Sequence, residues 1–319
     1  MTKKINEHWL SGRPNGQNSP HAVELIGAAD DRGVLNVGGR LGASHGPQAI
    51  RSMLSQFMLG LDGAVGRVAL YKGIDTSPGE TIEEGHTALR RAVATSIKAG
   101  GTPIVLGGGH DYGYPHVAGA FDALGEKVAL INVDAHLDLR PPGPQGITSG
   151  SPFFLALEAG MLKGSNFIEF GIQEHCNDGE FYKYALKKGV EVVMLEKARS
   201  AKGAARNLQL LLDKYSKRDF KVVVSFDLDA VQMAFAPGVS APQTDGFTPA
   251  EFLAMAQLCG ENPCVATIGF FELAPALDEG QRTIRLAATS IHRFLSGFSL
   301  RGEKRSPRRT AVGRLLRRR

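Results

Sequence analysis

Short apolar runs alternate with longer amphipathic stretches along most of the chain. The runs are GVLNVG (33–38), GRVALYKG (66–73), TPIVLGGG (102–109), KVALINVDAH (127–136), NFIEFGIQ (166–173), VEVVML (190–195), KVVVSFDLD (221–229) and CVATIGFFEL (264–273). They are rich in Val and Ile and mostly unbroken by polar residues, the pattern of strands buried on both faces of a parallel sheet. Between them, apolar residues recur at helical spacing. One such segment opens at Gly46-Pro47 and runs through Ala49, Ile50, Met53, Leu54 and Phe57; others cover 82–99, 204–215, 248–258 and 282–295. Gly-Pro or Thr at the start suits the first turn of a helix. Strands and helices in alternation predict one α/β domain over 1–300, a three-layer α/β/α sandwich around a mostly parallel sheet of about eight strands. Residues 1–30 read as an N-terminal extension. In such open sheets, ligands bind beyond the carboxyl ends of the strands.

Composition narrows the class. With 319 residues, 43% hydrophobic and 22% charged, the chain can bury a large core. No apolar run reaches the roughly 18 residues of a membrane span, and the polar start MTKKINEHWLSGRPNGQ lacks the apolar stretch of a secretion signal. A cytoplasmic enzyme is the expectation. Cys176, Cys259 and Cys264 are too few and too scattered for a disulfide scaffold or a thiolate zinc site. The net charge of +5 misleads: 301–319 holds nine Lys/Arg and one Glu, or +8, which leaves 5 − 8 = −3 for the rest. The basicity is a tail, expected to be solvated and disordered. The body has no aromatic-interleaved basic patch, so nucleic acid is not the expected partner.

The chemistry sits where the strands end. One run closes in Gly107-Gly108-Gly109-His110, another in Asp134-Ala135-His136-Leu137-Asp138, a third in Asp227-Leu228-Asp229. In an extended segment, residues i, i+2 and i+4 face one way, so Asp134, His136 and Asp138 share a side, as do Asp227 and Asp229. Four carboxylates and two imidazoles at one sheet edge repel unless cations separate them. Two divalent ions remove the conflict. Mixed oxygen and nitrogen ligation without thiolate suits Mn²⁺, with Zn²⁺, Fe²⁺, Co²⁺ and Ni²⁺ as rivals.

GGGH, DAHLD and SFDLDA resemble the three metal motifs of the ureohydrolases, the superfamily of arginase, agmatinase and formimidoylglutamase. NVGGRLGASHGPQAIR (36–51), AFAPGVSAPQTDGFT (234–248) and FFELAPALD (270–278) are similar to further family segments, so the likeness covers most of 33–300 in order. It implies the arginase-like three-layer fold, two Mn²⁺ per subunit and a homo-oligomer. By motif position, His110 would bind one ion and His136 the other. Asp134, Asp138 and Asp227 would bridge or share them, and Asp229 would complete the second site.

Within the superfamily, arginases and agmatinases carry a histidine in the loop after DAHxD, where Ser149 stands here. Asp138-Leu139-Arg140 followed by Ser149-Gly150-Ser151-Pro152-Phe153 resembles the formimidoylglutamases, as do the Gly-rich pattern at 36–47 and Gly171-Ile172-Gln173 with Asn177. The implied substrate, N-formimidoyl-L-glutamate, carries two carboxylates, so its pocket needs cations or N–H donors. Arg140 and Arg40 are the candidate clamps, with Ser149 and Asn177 as further substrate contacts. The implied reaction is attack of a metal-bridging hydroxide on the formimino carbon, with Asp138 orienting it and moving a proton, and Glu272 facing the amidine. Asp111 is a candidate to orient His110; His116 and His175 read as solvated or capping. The competing readings are a guanidino hydrolase that releases urea and a non-catalytic binding subunit.

Overall fold

The computed structural model describes residues 22–301 apart from 72, 74 and 201. In chain order the elements are β1 (Val23–Ala28), α1 (Arg32–Asn36), α2 (Gly46–Leu54), β2 (Leu70–Tyr71), β3 (Asp75–Thr76), α3 (Ile82–Lys98), β4 (Thr102–Leu106), α4 (Gly113–Leu124), β5 (Val128–Val133) and α5 (Pro152–Glu158). Then come β6 (Phe167–Ile172), α6 (Gly179–Lys188), β7 (Glu191–Met194), α7 (Leu195–Ala198), α8 (Ala204–Ser216), β8 (Lys221–Asp227), α9 (Pro249–Glu261), β9 (Val265–Phe271) and α10 (Arg282–Phe298). Among the described residues the sheet has nine strands in the order β2-β1-β4-β9-β8-β5-β6-β7, with β3 also on β1. Every pairing is parallel. The expected α/β/α architecture therefore holds.

Local chemistry explains the element boundaries. The Thr81 hydroxyl accepts from Glu84 N–H while the Glu84 carboxylate accepts from Thr81 N–H, a reciprocal cap that starts α3. Thr248 and Glu251 repeat it at α9, where Pro249 occupies the first turn. Gly189 ends α6 in a left-handed conformation, φ 81°, that a side chain would resist. The central strands β4, β5 and β6 are buried at every position, so each Val, Ile or Leu there contributes about 1.5–3 kcal/mol of transfer free energy. Phe226, Phe252 and Phe270 stack and edge together beneath β8 and β9.

Two sequence expectations are corrected. GVLNVG at 33–38 is not a strand: its core forms the short helix α1. A six-residue, mostly apolar run fits either element, and periodicity alone does not separate them. The strand lies earlier, at β1, inside the stretch read as an N-terminal extension; it pairs with β4 and helps anchor the sheet. The run at 66–73 shrinks to the two-residue β2. The basic residues from 302 on lie outside the described residues, as do 1–21.

Candidate metal centre

Three loops meet at the carboxyl edge of β4, β5 and β8. His110 opens a tight turn that feeds α4. Asp134 follows the last residue of β5, and Asp227 is the last of β8. The convergence comes from turns rather than from the extended pleat read in the sequence. Asp134 Oδ1 accepts from His136 N–H at 2.7 Å, and Asp227 Oδ1 accepts from Asp229 N–H at 2.8 Å. The same i to i+2 bond thus folds both Asp-x-His and Asp-x-Asp back on themselves. Asp138 takes a left-handed backbone, φ 48°, and so does Glu272, φ 67°. Strained backbone at two acidic positions in one place marks a functional site.

All six predicted ligands come together. His110 Nδ1 lies 3.1 Å from Asp134 Oδ2, 2.9 Å from Asp138 Oδ2 and 3.0 Å from Asp227 Oδ2. His136 Nδ1 lies 3.2 Å from Asp229 Oδ2 and 3.5 Å from Asp134 Oδ1. Two donor sets able to hold an ion follow, His110/Asp134/Asp138 and Asp134/His136/Asp229, and Asp134 belongs to both.

Electrostatics say what is needed there. Burial, reinforced by neighbouring carboxylates, raises the carboxyls of Asp138, Asp227 and Glu272, and lifts Asp229 to about 7. Burial opposes charge on Asp134 too, but contacts with His110 and His136 hold it below the usual range. His110 Nδ1 faces three carboxylate oxygens within 3.1 Å without a well-aligned hydrogen bond to any one of them, and Asp229 Oδ1 is buried without a hydrogen-bond partner among the described residues. Packed carboxylates and orphaned donor atoms aimed at one point fit divalent cations, which would satisfy both at once.

Surrounding residues hold the ligands in place. His110 Nε2 meets Ser225 Oγ at 2.7 Å, and His110 N–H donates to Glu272 Oε1 at 2.7 Å. Gln243 Nε2 sits 3.4 Å from His136 Nε2, and Gln243 Oε1 is 3.0 Å from His175 Nε2. Sequence reasoning missed Ser225 and Gln243. Ser225 was legible: it is the polar residue two positions before Asp227 in an otherwise apolar strand, hence on the same face. Asp111 bonds His86 at 2.9 Å rather than His110.

Five of the six ligands, all but the fully buried Asp134, line a cleft of about 260 Å³ together with Glu272, and Val37, Leu139, Arg140, Ser149, Asn177 and Phe181 wall it. Arg140 lies over the Phe181 ring at 5.8 Å. Arg40 does not line the cleft. Its guanidinium donates to Ser240 O at 2.9 Å and Val239 O at 2.7 Å, because the Pro-Gly loop closes against it. Asn177 lines the wall, but its amide already serves the backbone: Oδ1 accepts from Leu137 N–H, and Nδ2 donates to Ala135 O and Gln173 O.

The family model described as the arginase family matches residues 21–296. The chain belongs to the arginase family. It is 34% identical over 284 residues to a formimidoylglutamase of Nocardia farcinica, covering 87% of each chain. It is 31% identical over 280 residues to one of Geobacillus thermodenitrificans, covering 87% of this chain and 84% of that one. A crystal structure of a Trypanosoma cruzi formiminoglutamase variant with Mn²⁺₂ superposes with a TM-score of 0.82 at 32% identity, covering 89% of this chain and 95% of that one. Among the described residues, no helix of this family member is long and apolar enough to cross a membrane.

Proposed function

We propose that this chain hydrolyses N-formimidoyl-L-glutamate to L-glutamate and formamide with two Mn²⁺ bound. The observation that carries the reading is a pair of donor sets meeting at the buried Asp134, directly beside a cleft that the other five ligands line and whose wall presents Arg140. The formimidoylglutamases of similar sequence and the formiminoglutamase with Mn²⁺₂ support the substrate and the metal.

His110, Asp134, Asp138, Asp227, His136 and Asp229 would hold the ions, which would acidify water and offset the negative charge that builds on the attacking oxygen. Water oxygen adds to the formimino carbon, the bond from that carbon to the glutamate nitrogen breaks, and the imino nitrogen leaves in formamide. Asp138, half-buried at the cleft floor, takes the water proton and passes it to the departing nitrogen. Glu272 Oε1 accepts from His110 N–H, so its other oxygen is the one available to the amidine N–H groups. Arg140 binds a substrate carboxylate, with no carboxylate of the described chain in salt-bridge contact to compete; the Ser149 hydroxyl is a second donor on the same wall. Leu139 and Phe181 limit water beside the reacting carbon. The reading places the enzyme in the cytoplasm as a homo-oligomer.

The test offers the Mn²⁺-loaded protein N-formimidoyl-L-glutamate, agmatine, L-arginine and 4-guanidinobutyrate in parallel. Glutamate and formamide from the first alone is the expected result; urea from any of the others overturns it. Arg140→Met should raise KM for formimidoylglutamate about 10–100-fold, the loss of a charged hydrogen bond of roughly 1.5–3 kcal/mol. Arg40→Met should leave KM unchanged, since that side chain holds a loop.

A further inference from the structure

The parallel register lines up a polar row in the middle of the sheet. Glu169 on β6 stands opposite Asn132 on β5, which stands opposite Ser225 on β8. Asp134 and Asp227 lie two residues further along their segments, so the row sits one layer beneath the ligands. Ser225 meets a ligand, His110. Asn132 meets another: its Nδ2 donates to Asp134 Oδ2 at 3.1 Å and to Glu169 Oε2 at 3.0 Å. Asn132 and Glu169 are both fully buried. Burial drives the Glu169 carboxyl well above its usual range, and the Asn132 hydrogen bond only partly opposes this.

This pair does not earn its place through fold stability. Glu169 Oε1 and Asn132 Oδ1 have no hydrogen-bond partner among the described residues. Each such buried atom costs free energy, whereas an apolar pair of similar shape would be nearly neutral or stabilising. The neighbours Leu130, Ile131, Ile168 and Phe170 show that these strands otherwise hold apolar side chains. What the pair accomplishes is geometric. One amide, anchored by a buried carboxyl, grips the oxygen of Asp134 that faces His110 and leaves Oδ1 toward His136.

We infer that Asn132 and Glu169 are positioning residues that fix the Asp134 carboxylate between the two donor sets and thereby set the affinity for the ion pair. This rests on the dimetal reading above. The pair touches neither substrate nor reacting atoms; it acts through Asp134, as outer partners of metal ligands do.

The experiment is calorimetric Mn²⁺ titration of the metal-free full chain and its variants, alongside thermal unfolding without metal. Asn132→Leu combined with Glu169→Leu is expected to weaken Mn²⁺ binding about 10–100-fold, while the metal-free Tm stays level or rises. Glu169→Gln, whose carbonyl accepts the same hydrogen bond, is expected to keep the parent's affinity. If the double variant does not fold, Asn132→Ser serves in its place: its hydroxyl is too short to bridge both carboxyls, and weaker Mn²⁺ binding is again expected. Parent-like Mn²⁺ affinity in a folded double or Ser variant would overturn the inference and leave the dimetal reading standing. A parent that takes up no Mn²⁺ would sink both.

Discussion

His110 and His116 are six residues apart, both fully buried, and each places Nε2 against a hydroxyl: Ser225 at 2.7 Å and Thr267 at 2.8 Å. They differ in what Nδ1 faces. For His110 it is three carboxylates within 3.1 Å. For His116 it is nothing that can hydrogen-bond among the described residues, and the Phe271 ring lies nearby. Burial depresses both imidazoles. At His110 the carboxylates overcome it and hold the group well above its usual value; at His116 burial prevails, helped by His110, and the pKa falls to about 3. Burial is therefore not the mark of a metal ligand; the company of the free nitrogen is.

The sharpest way to break the comparison is to remove each imidazole. His110→Ala deletes a ligand at the centre of the site. Losing several kcal/mol of charge stabilisation, at 1.36 kcal/mol per tenfold, predicts a fall in kcat of about 10³-fold or more. His116→Gln, which keeps a donor for Thr267, should leave kcat near the parent's. Equal losses in the two variants, measured in steady-state assays at saturating Mn²⁺, would show that the distinction is wrong.

Metal removal is the next test. An ion that binds only the folded chain stabilises it by about 2.7 kcal/mol at 100 times its Kd. Chelation followed by Mn²⁺ addition should therefore produce a clear rise in Tm for the parent and for His116→Gln. The rise should shrink in His110→Ala. A His110→Ala protein with the full Mn²⁺-dependent rise would mean that the buried donor set is not where the ions sit.

How much of this was legible beforehand follows the same line. The ligands were readable because six potential donors closed three apolar runs. What ordered them was not: the pleat suggested a shared face, whereas Asx-type turns at Asp134 and Asp227 do the folding. His116 read as solvated or capping because a histidine among small residues in YPHVAGA gives no sign that Thr267, 151 positions away, will receive it. Arg40 read as a clamp because its loop is near the site; only the fold shows the carbonyls of Val239 and Ser240 taking its guanidinium. β1 is hard to read because VELIGA is only six residues long, is interrupted by Glu24 and follows a polar stretch, so its pairing with β4 rather than its own pattern defines it. Local pattern reveals which residue types reach the edge; long-range partners decide which of them are left over for a ligand.

The last test, silent at neutral pH, concerns acid stability. Thr267 Oγ1 donates its only proton to Pro103 O at 2.7 Å, so it must accept from His116, whose Nε2 carries the hydrogen and whose Nδ1 is bare. The folded chain keeps this ring neutral down to about pH 3, while an unfolded chain protonates it below about 6.5. Between those values the unfolded state binds one more proton at this residue. Its contribution is thus fully present above pH 6.5 and is lost as pH falls toward 3, at about 1.4 kcal/mol per pH unit. In denaturant titrations of the metal-free protein, His116→Gln should flatten that slope by close to one proton while leaving the curve above pH 7 parallel to the parent's. An unchanged slope would mean that His116 is protonated in the folded state, and the contrast with His110 would fail at its second member.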